Sequence, residues 1–482
     1  MTVAAAAPPR ARISKPSAVA LARPMRHPDP ANAALMTRRG WWLVLLGWVI
    51  PGSAQVLAGS RRLGRFGLGA TLTSWVVAVV AALAFLLWRD GALTVLLNTY
   101  VLIGLAVLSV GYGVLWLVLA IDTLRLVRLV RTKSPARFGI ALLSIALMVL
   151  TGGSVAYAAP RLIAASSAFG SIFAASAPVV PPSDGYYNIL LLGADSGDGR
   201  DSMRFDSISV VSIEATTGAV TITGIPRELG GAPFSEGSPM AALYPTGFEG
   251  HADAECGWDD WMNHIRQAAQ VCRDDQGAAL YPDAAKHGSE PGVEATKDAA
   301  EGVTGLEIPY YAFIDMNGFA ALVDALGGVD IEVAQRLPEG GGPAYEGQPA
   351  EDWATGWIEP GAQHMDGNTA QWYARSRYTT SDWDRMQRQR QLQEAILAQF
   401  TPENVVMRFQ DVARAGTAIV ETDIPQSLLP TFLDLAVQAK SQPMTSVELT
   451  PEGPLAVDQE DPDFDAIHAY LQEVLHPGSS AG

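Results

Sequence analysis

Three apolar stretches in the first third of the chain constrain it more than any other feature. Residues 66–88, 92–121 and 138–158 are each long enough to cross a bilayer, which takes roughly 20 apolar residues in a helix. A fourth stretch, residues 41–58, is shorter and is broken by Pro51-Gly52-Ser53. Charge divides the chain at the same place. Up to Pro160 the sequence holds 16 Lys and Arg against 3 Asp and Glu, and the remainder holds 17 against 47, a net charge of −30. A basic, apolar front and a strongly acidic back are two different physical objects. An acidic domain of that size repels phosphate backbones at long range, which argues against nucleic acid as a partner.

Segments rich in Lys and Arg stay on the cytoplasmic side of a membrane. Residues 122–137 carry Arg125, Arg128, Arg131, Lys133 and Arg137, and the first 40 residues carry seven basic side chains. Both are expected inside, as are Arg61, Arg62 and Arg65, with Arg89-Asp90 outside. Three full spans satisfy this pattern and deliver everything after about Pro160 to the outside. Residues 41–58 then form a re-entrant or interfacial hairpin, the alternative being a fourth span that violates the charge rule. The expected protein is thus a multi-pass protein of the cell membrane. Residues 1–40, rich in Ala, Pro and Arg, read as a disordered cytoplasmic tail and not as a cleavable leader. Residues 41–160 are the transmembrane region, 161–185 a linker, 186–476 an extracytoplasmic domain and 477–482 a tail.

Cys256 and Cys272, the two cysteines of the chain, both fall in the outer part. An oxidising compartment permits a disulfide between them. A metal site would need more soft ligands than this, and His251 and His264 lack a zinc-finger spacing. Residues 258–271 between the cysteines read as helical.

The outer part mixes strand and helix signals. Residues 187–193 form a continuous apolar run ending in Gly, which suits a buried central strand. Residues 207–213 and 219–225 are strands joined by the turn Thr216-Thr217-Gly218. A strand at 309–313, a helix at 317–326 closed by Gly327-Gly328, a strand at 329–333 and helices at 366–375 and 384–400 follow. Residues 230–290 and 338–361 read as long loops. The expected fold class is α/β, a mixed central sheet flanked by helices and preceded by the helical membrane region.

The basic residues of this acidic domain are clustered. Arg200, Arg204 and Arg227 fall near the first strands, and Arg375, Arg377, Arg385, Arg388 and Arg390 fall within 16 residues, with no Lys in either group. Arginine suits bidentate phosphate binding, so the clusters suggest an anion site; surface salt bridges to the abundant carboxylates are the plainer alternative. Asp195 follows the first strand, Arg204-Phe205-Asp206 opens the second, and Arg227 follows the third. One sheet edge could gather them all. Carboxylates amid arginines suit a hard divalent ion bridging to phosphate oxygens.

In order along the chain, Asn188-Ile-Leu-Leu-Leu-Gly-Ala-Asp195, Arg204-Phe-Asp206, Ile222-Thr-Gly-Ile-Pro-Arg227-Glu228, the helix and Gly-Gly turn from Phe319 to Asp330, Tyr373-Ala-Arg375-Ser-Arg377 and Asp382-Trp-Asp-Arg385-Met-Gln-Arg388-Gln389 resemble the motifs of the LytR–CpsA–Psr family. The resemblance covers residues 187 to about 400. It implies a phosphotransferase that moves a glycopolymer from a polyprenyl-pyrophosphate carrier to peptidoglycan, with the lipid in an apolar tunnel between sheet and helices. It implies Mg²⁺ (or Mn²⁺) on Asp195 and Asp206, and pyrophosphate on Arg204, Arg227, Arg375, Arg377, Arg385, Arg388 and Gln389. The catalytic set it implies is Asp206, Arg204, Arg227, Arg375 and Arg377, with Asp206 or Glu228 as candidate general bases.

The chain departs from the pattern where Glu228 replaces an Asp, where Gly224 replaces a Ser, and after Arg227, where the cysteine loop replaces a Lys-Ile-Asn run. Two other readings use the same residues: a polyprenyl-pyrophosphate hydrolase, and a non-enzymatic lipid-phosphate sensor or transcriptional attenuator.

Overall fold

The structure, a computed structural model, describes residues 25–88, 91–92, 95–96, 98–172, 178–194, 204–272, 279–340, 342–345, 347–376, 379–399 and 420–477. The chain forms two compact units, residues 1–89 with 104–162, and residues 90–103 with 163–482.

In the first unit, α1 (Ala33–Val49) is followed by a turn and by the short α2 (Ser53–Ala58); α3 (Arg61–Leu87), α4 (Thr99–Val127) and α5 (Ser134–Ile172) come next. Among the described residues, three helices are long and apolar enough to cross a membrane: Arg61–Leu87, Tyr100–Arg131 and Ser134–Ile163. The turn after α1 depends on Gly52, whose φ of +94° a side chain would resist and whose added Cβ would strike the Leu68 backbone N. Gln55, on α2, is fully buried and donates to Leu119 O at 2.8 Å and to Thr123 Oγ1 at 3.1 Å. Such pairing is required where no water can satisfy a polar group. α5 does not stop at Pro160 but continues to Ile172, so the first part of the expected linker is helical. Its Ala- and Ser-rich sequence keeps good helix formers beyond the proline.

The second unit is built on a six-stranded mixed sheet in the order β10-β3-β2-β1-β4-β9. The strands are β1 (Tyr186–Ala194), β2 (Phe205–Glu214), β3 (Val220–Ile225), β4 (Tyr310–Asp315), β9 (Val420–Thr422) and β10 (Thr445–Glu448). β1 pairs antiparallel with β2 and parallel with β4, β2 pairs antiparallel with β3, and β10 pairs parallel with β3. The end of β1, the start of β2 and the end of β3 therefore lie on one sheet edge, as the motif order requires.

One face of the sheet carries the main core, where Leu190, Leu192, Phe205 and Val210 pack against Val293, Ala299 and Val303. Those last three lie on the helix Pro291–Thr304. A second apolar cluster joins Val323 and Val329 to Tyr373 and Leu392. It holds together the helix Met316–Leu326, the strand pair β5 (Val329–Val333) and β8 (Gly361–Met365), and the helices Gly367–Arg375 and Asp382–Gln399. Residues 338–361, read as loop, contain the short pair β6 (Leu337–Glu339) and β7 (Gly356–Ile358).

Residues 258–271 are helical from Met262 onward, though not as a regular α-helix. They hold a 3-10 turn, Met262–His264, and a π-type turn, Gln267–Val271. The backbones of Trp258 and Trp261 are engaged in bridges to His251 and Gly230, which removes the groups a helix would use.

Candidate active site at the sheet edge

β2 carries a register irregularity opposite Gly193/Ala194: Gly193 pairs with Ser207 and Ala194 with Phe205, so Asp206 is the unpaired residue of a bulge. A bulge turns its extra side chain out of the regular alternation. The Asp206 carboxylate meets Arg227, the second residue after β3, whose Nη1 donates to Asp206 Oδ1 at 2.6 Å. Arg227 Nη2 lies 3.0 Å from Glu228 Oε1 and 3.7 Å from Asp382 Oδ1. Burial lowers the guanidinium's pKa, but Asp382, Asp206 and Glu228 outweigh it and hold the group above its ordinary value. Arg227 Nε is buried with no hydrogen-bond partner among the described residues.

Asp382 also accepts from Arg385, Nη2 to Oδ2 at 2.9 Å, and so couples the two arginines. Asp382 belongs to the closing motif without an expected role in it, and its position one helical turn before Arg385 is the sequence signal of this pairing. Arg204, just before β2, is exposed and donates to Gln267 Oε1 at 3.2 Å. Arg375 ends its helix with its guanidinium 5.2 Å from the Trp372 ring centroid.

The arginines of the last helix differ in what they do. Arg388 is buried, with Nε donating to Tyr373 O at 2.9 Å and Nη2 to Ser376 O, so it ties that helix to the one before. Gln389 Nε2 donates to Ala374 O at 3.4 Å, while its Oε1 is buried without a partner among the described residues. Arg390, grouped by sequence with the anion-binding cluster, lies instead in a buried ion pair, its Nε 3.2 Å from Glu448 Oε1 on β10. That pair accounts for Gly224: a Cβ there would collide with the Glu448 carboxylate. Asp195, Arg200 and Arg377 lie outside the described residues.

Cys256 and Cys272 are joined, their Cα atoms 5.6 Å apart. The loop they close lies along the Arg227 segment: Asn263 N donates to Arg227 O at 2.9 Å and Met262 N to Leu229 O at 3.1 Å. His264 is buried; Asp259 N–H donates to its Nδ1 at 2.7 Å, so the neutral ring carries its proton on Nε2. Burial first, and the Arg204 charge second, hold this imidazole below its usual pKa.

Among the described residues no three His, Cys, Asp or Glu side chains form a ready-made metal cage. Mg²⁺ does not require one, since it keeps several waters and takes one or two carboxylates plus substrate phosphates. The hard-oxygen carboxylates Asp206 and Glu228, gathered at a cluster of arginines, fit such an ion in kind.

Known proteins resemble this chain. It is 26% identical over 235 residues to the polyisoprenyl-teichoic acid–peptidoglycan teichoic acid transferase TagU of Halalkalibacterium halodurans, covering 48% of this chain and 57% of that one. It is 36% identical over 117 residues to the probable cell wall biosynthesis protein LcpB of Corynebacterium glutamicum, covering 24% and 25%. The chain thus spans less than two thirds of the length of these relatives. Among solved structures, that of B. subtilis TagV matches with a TM-score of 0.41 at 19% identity, over 61% of this chain and 98% of that one. The model of the LytR_cpsA_psr family matches residues 170–460, more than half of the sequence, and the chain belongs to that family.

Proposed function

We propose that this protein is a membrane-anchored phosphotransferase that moves a glycopolymer from a polyprenyl-pyrophosphate carrier to peptidoglycan, with its second unit on the outer side of the membrane. Membership of the family supports the reaction class, and the positive charge of residues 122–137 supports the orientation. The observation that carries the reading is Arg227, a half-enclosed guanidinium ringed by Asp206, Glu228 and Asp382 at the edge where β1, β2 and β3 converge.

Phosphoryl transfer asks little covalent chemistry of a protein and a great deal of charge and positioning. Arg227 and Arg385, held by a shared carboxylate, present fixed donors for the oxygens of a pyrophosphate. Arg204 and Arg375 add charge from two other elements, with Arg377 and Gln389 as further candidates. The acceptor's hydroxyl oxygen attacks the phosphorus that bears the sugar; that P–O bond forms as the P–O bond to the lipid phosphate breaks, and polyprenyl phosphate leaves. The hydroxyl proton passes to a carboxylate, Asp206 or Glu228. Asp206, with Asp195, would hold Mg²⁺, which when bound neutralises charge on the pyrophosphate oxygens.

The test is incubation of the full chain in lipid nanodiscs with a labelled polyprenyl-pyrophosphate oligosaccharide and peptidoglycan. Label should enter the wall fraction, and should fail to do so with Arg227→Ala. Release of lipid phosphate without transfer would overturn the transferase reading in favour of a hydrolase. Tight lipid binding with no product would overturn the enzyme reading altogether.

A further inference from the structure

The loop closed by Cys256 and Cys272 lies beside the site, yet none of the reaction described above uses its side chains. Its backbone is bonded to Arg227 and Leu229, and its Gln267 holds Arg204. It therefore has one fixed position relative to two of the arginines. On it, Trp261 is 36% exposed. The ring packs on the His264 imidazole, centroids 5.5 Å apart and planes 30° apart, and His264 is itself locked by Asp259 N–H. The indole is thus held in place from below with its outer part free. On the same turn, His264 Nε2 and Asn263 Oδ1 are buried without hydrogen-bond partners among the described residues, one a donor and one an acceptor.

Charge narrows what can lie here. Glu249, Asp253 and Glu255 precede the loop, Asp259 and Asp260 lie on it, and its one Arg, Arg266, is paired with Glu290. A phosphate-bearing chain would be repelled by this wall. A sugar ring without charge fits it: one face of C–H bonds for the indole, a rim of hydroxyls that both donate and accept, and carboxylates to receive their protons.

The geometry points to this disulfide-closed loop as the wall that binds the acceptor, with Trp261 as the platform for an uncharged sugar ring of a glycan strand and the buried His264 as the support on which the indole rests. This deepens the transferase reading and rests on it for the word acceptor. The arginines take the anionic donor, and the acidic, aromatic wall takes the neutral partner. His264 is a positioning residue in this scheme, fixing the plane of the indole.

Direct binding tests it on the full chain in nanodiscs, without donor or turnover. The probe is chitotetraose, an uncharged oligosaccharide, followed by calorimetry, with a glycerol-phosphate oligomer as the charged counterpart. Chitotetraose should bind at least tenfold more tightly than the phosphate oligomer. Trp261→Leu, which keeps apolar bulk but no ring, should weaken it tenfold or more, and Trp261→Phe by no more than about threefold. His264→Ala should weaken it and His264→Gln should restore part of the loss. Geranylgeranyl pyrophosphate should leave chitotetraose affinity unchanged. Equal affinity in wild type and Trp261→Leu, no binding at all, or preference for the phosphate oligomer would each overturn the proposal, as would competition by the pyrophosphate, which would move the sugar to the donor side. A chain that binds chitotetraose through Trp261 yet transfers nothing would sink the transferase reading and leave the sugar-binding wall standing.

Discussion

Arg227 and Asp206 meet at 2.6 Å although 21 residues separate them, because the bulge in β2 turns the aspartate out at the edge where β3 delivers the arginine. Among the described residues, the guanidinium is the one positive group to which Asp206, Glu228 and Asp382 all reach. Removing it leaves Asp206 and Glu228 without that compensating charge, while Asp382 keeps its ion pair with Arg385. Arg227→Ala should therefore lower kcat/KM for transfer by about 10²–10³, the loss typical of one preorganised donor at a developing charge. Arg227→Lys should recover less than tenfold of that, since a single ammonium cannot address three carboxylates and a phosphate at once. Steady-state kinetics on both variants checks this, and full activity in the Lys variant would refute the fork geometry.

Metal removal gives a second expectation. EDTA should abolish transfer, Mg²⁺ or Mn²⁺ should restore it, and Ca²⁺ should restore it poorly, because Ca²⁺ prefers more ligands and longer bonds. Asp206→Asn should raise the Mg²⁺ concentration needed for half-maximal rate by at least tenfold. Activity indifferent to EDTA would leave the arginines as the sole charge stabilisers.

Much of this architecture can be read from the sequence. The strands read at 187–193, 207–213 and 219–225 from apolar runs punctuated by glycine and turn residues are found at Tyr186–Ala194, Phe205–Glu214 and Val220–Ile225, and the shared edge follows from their order. What cannot be read is the fate of each arginine on the helix Asp382–Gln399. Arg385, Arg388 and Arg390 look alike in sequence, but helical phase sends them respectively to Asp382, to the backbone of Tyr373 and Ser376, and to Glu448. Glu448 belongs to an edge strand that no local pattern ties to residue 390. The Asp206 bulge is equally silent on its own strand, where Phe205 and Ser207 flank it with no Gly or Pro. The cysteine loop departs from its helical reading at residues 258–261, where bridges to His251 and Gly230 engage the backbone.

The same division separates structural from functional arginines by experiment. Arg390→Met would leave Glu448 buried and uncompensated, at a cost of about 3–5 kcal/mol, and the melting temperature should fall accordingly. Adding Glu448→Leu to that variant should recover most of the loss, because replacing both partners of a buried pair is often neutral. Gly224→Ser should destabilise by about 1–3 kcal/mol through its collision with the same carboxylate. Arg375→Ala should instead lose transfer with a melting temperature close to wild type. Calorimetry with paired activity assays distinguishes the two classes.

The helix Pro291–Thr304 carries the last expectation, a pH dependence of stability. Tyr281 OH donates to Asp298 Oδ2 at 2.5 Å, and burial, aided by the nearby Glu301 and Glu294, pushes the Asp298 carboxyl up to about 6 against that hydrogen bond. A carboxyl whose folded pKa exceeds its unfolded value of about 4 takes up a proton on folding. Its favourable contribution is fully present below pH 4 and is lost as pH rises through 6, on the order of 2–3 kcal/mol for a shift of this size. Asp298→Asn keeps an acceptor for Tyr281 and removes the charge. It should be more stable than wild type at pH 7.5 by up to that amount, and the difference should shrink steadily between pH 6 and pH 4. Denaturant melts of the full chain across that range measure it. A constant difference from pH 4 to 7.5 would mean that Asp298 keeps an ordinary pKa and that its burial costs the folded state nothing that titrates.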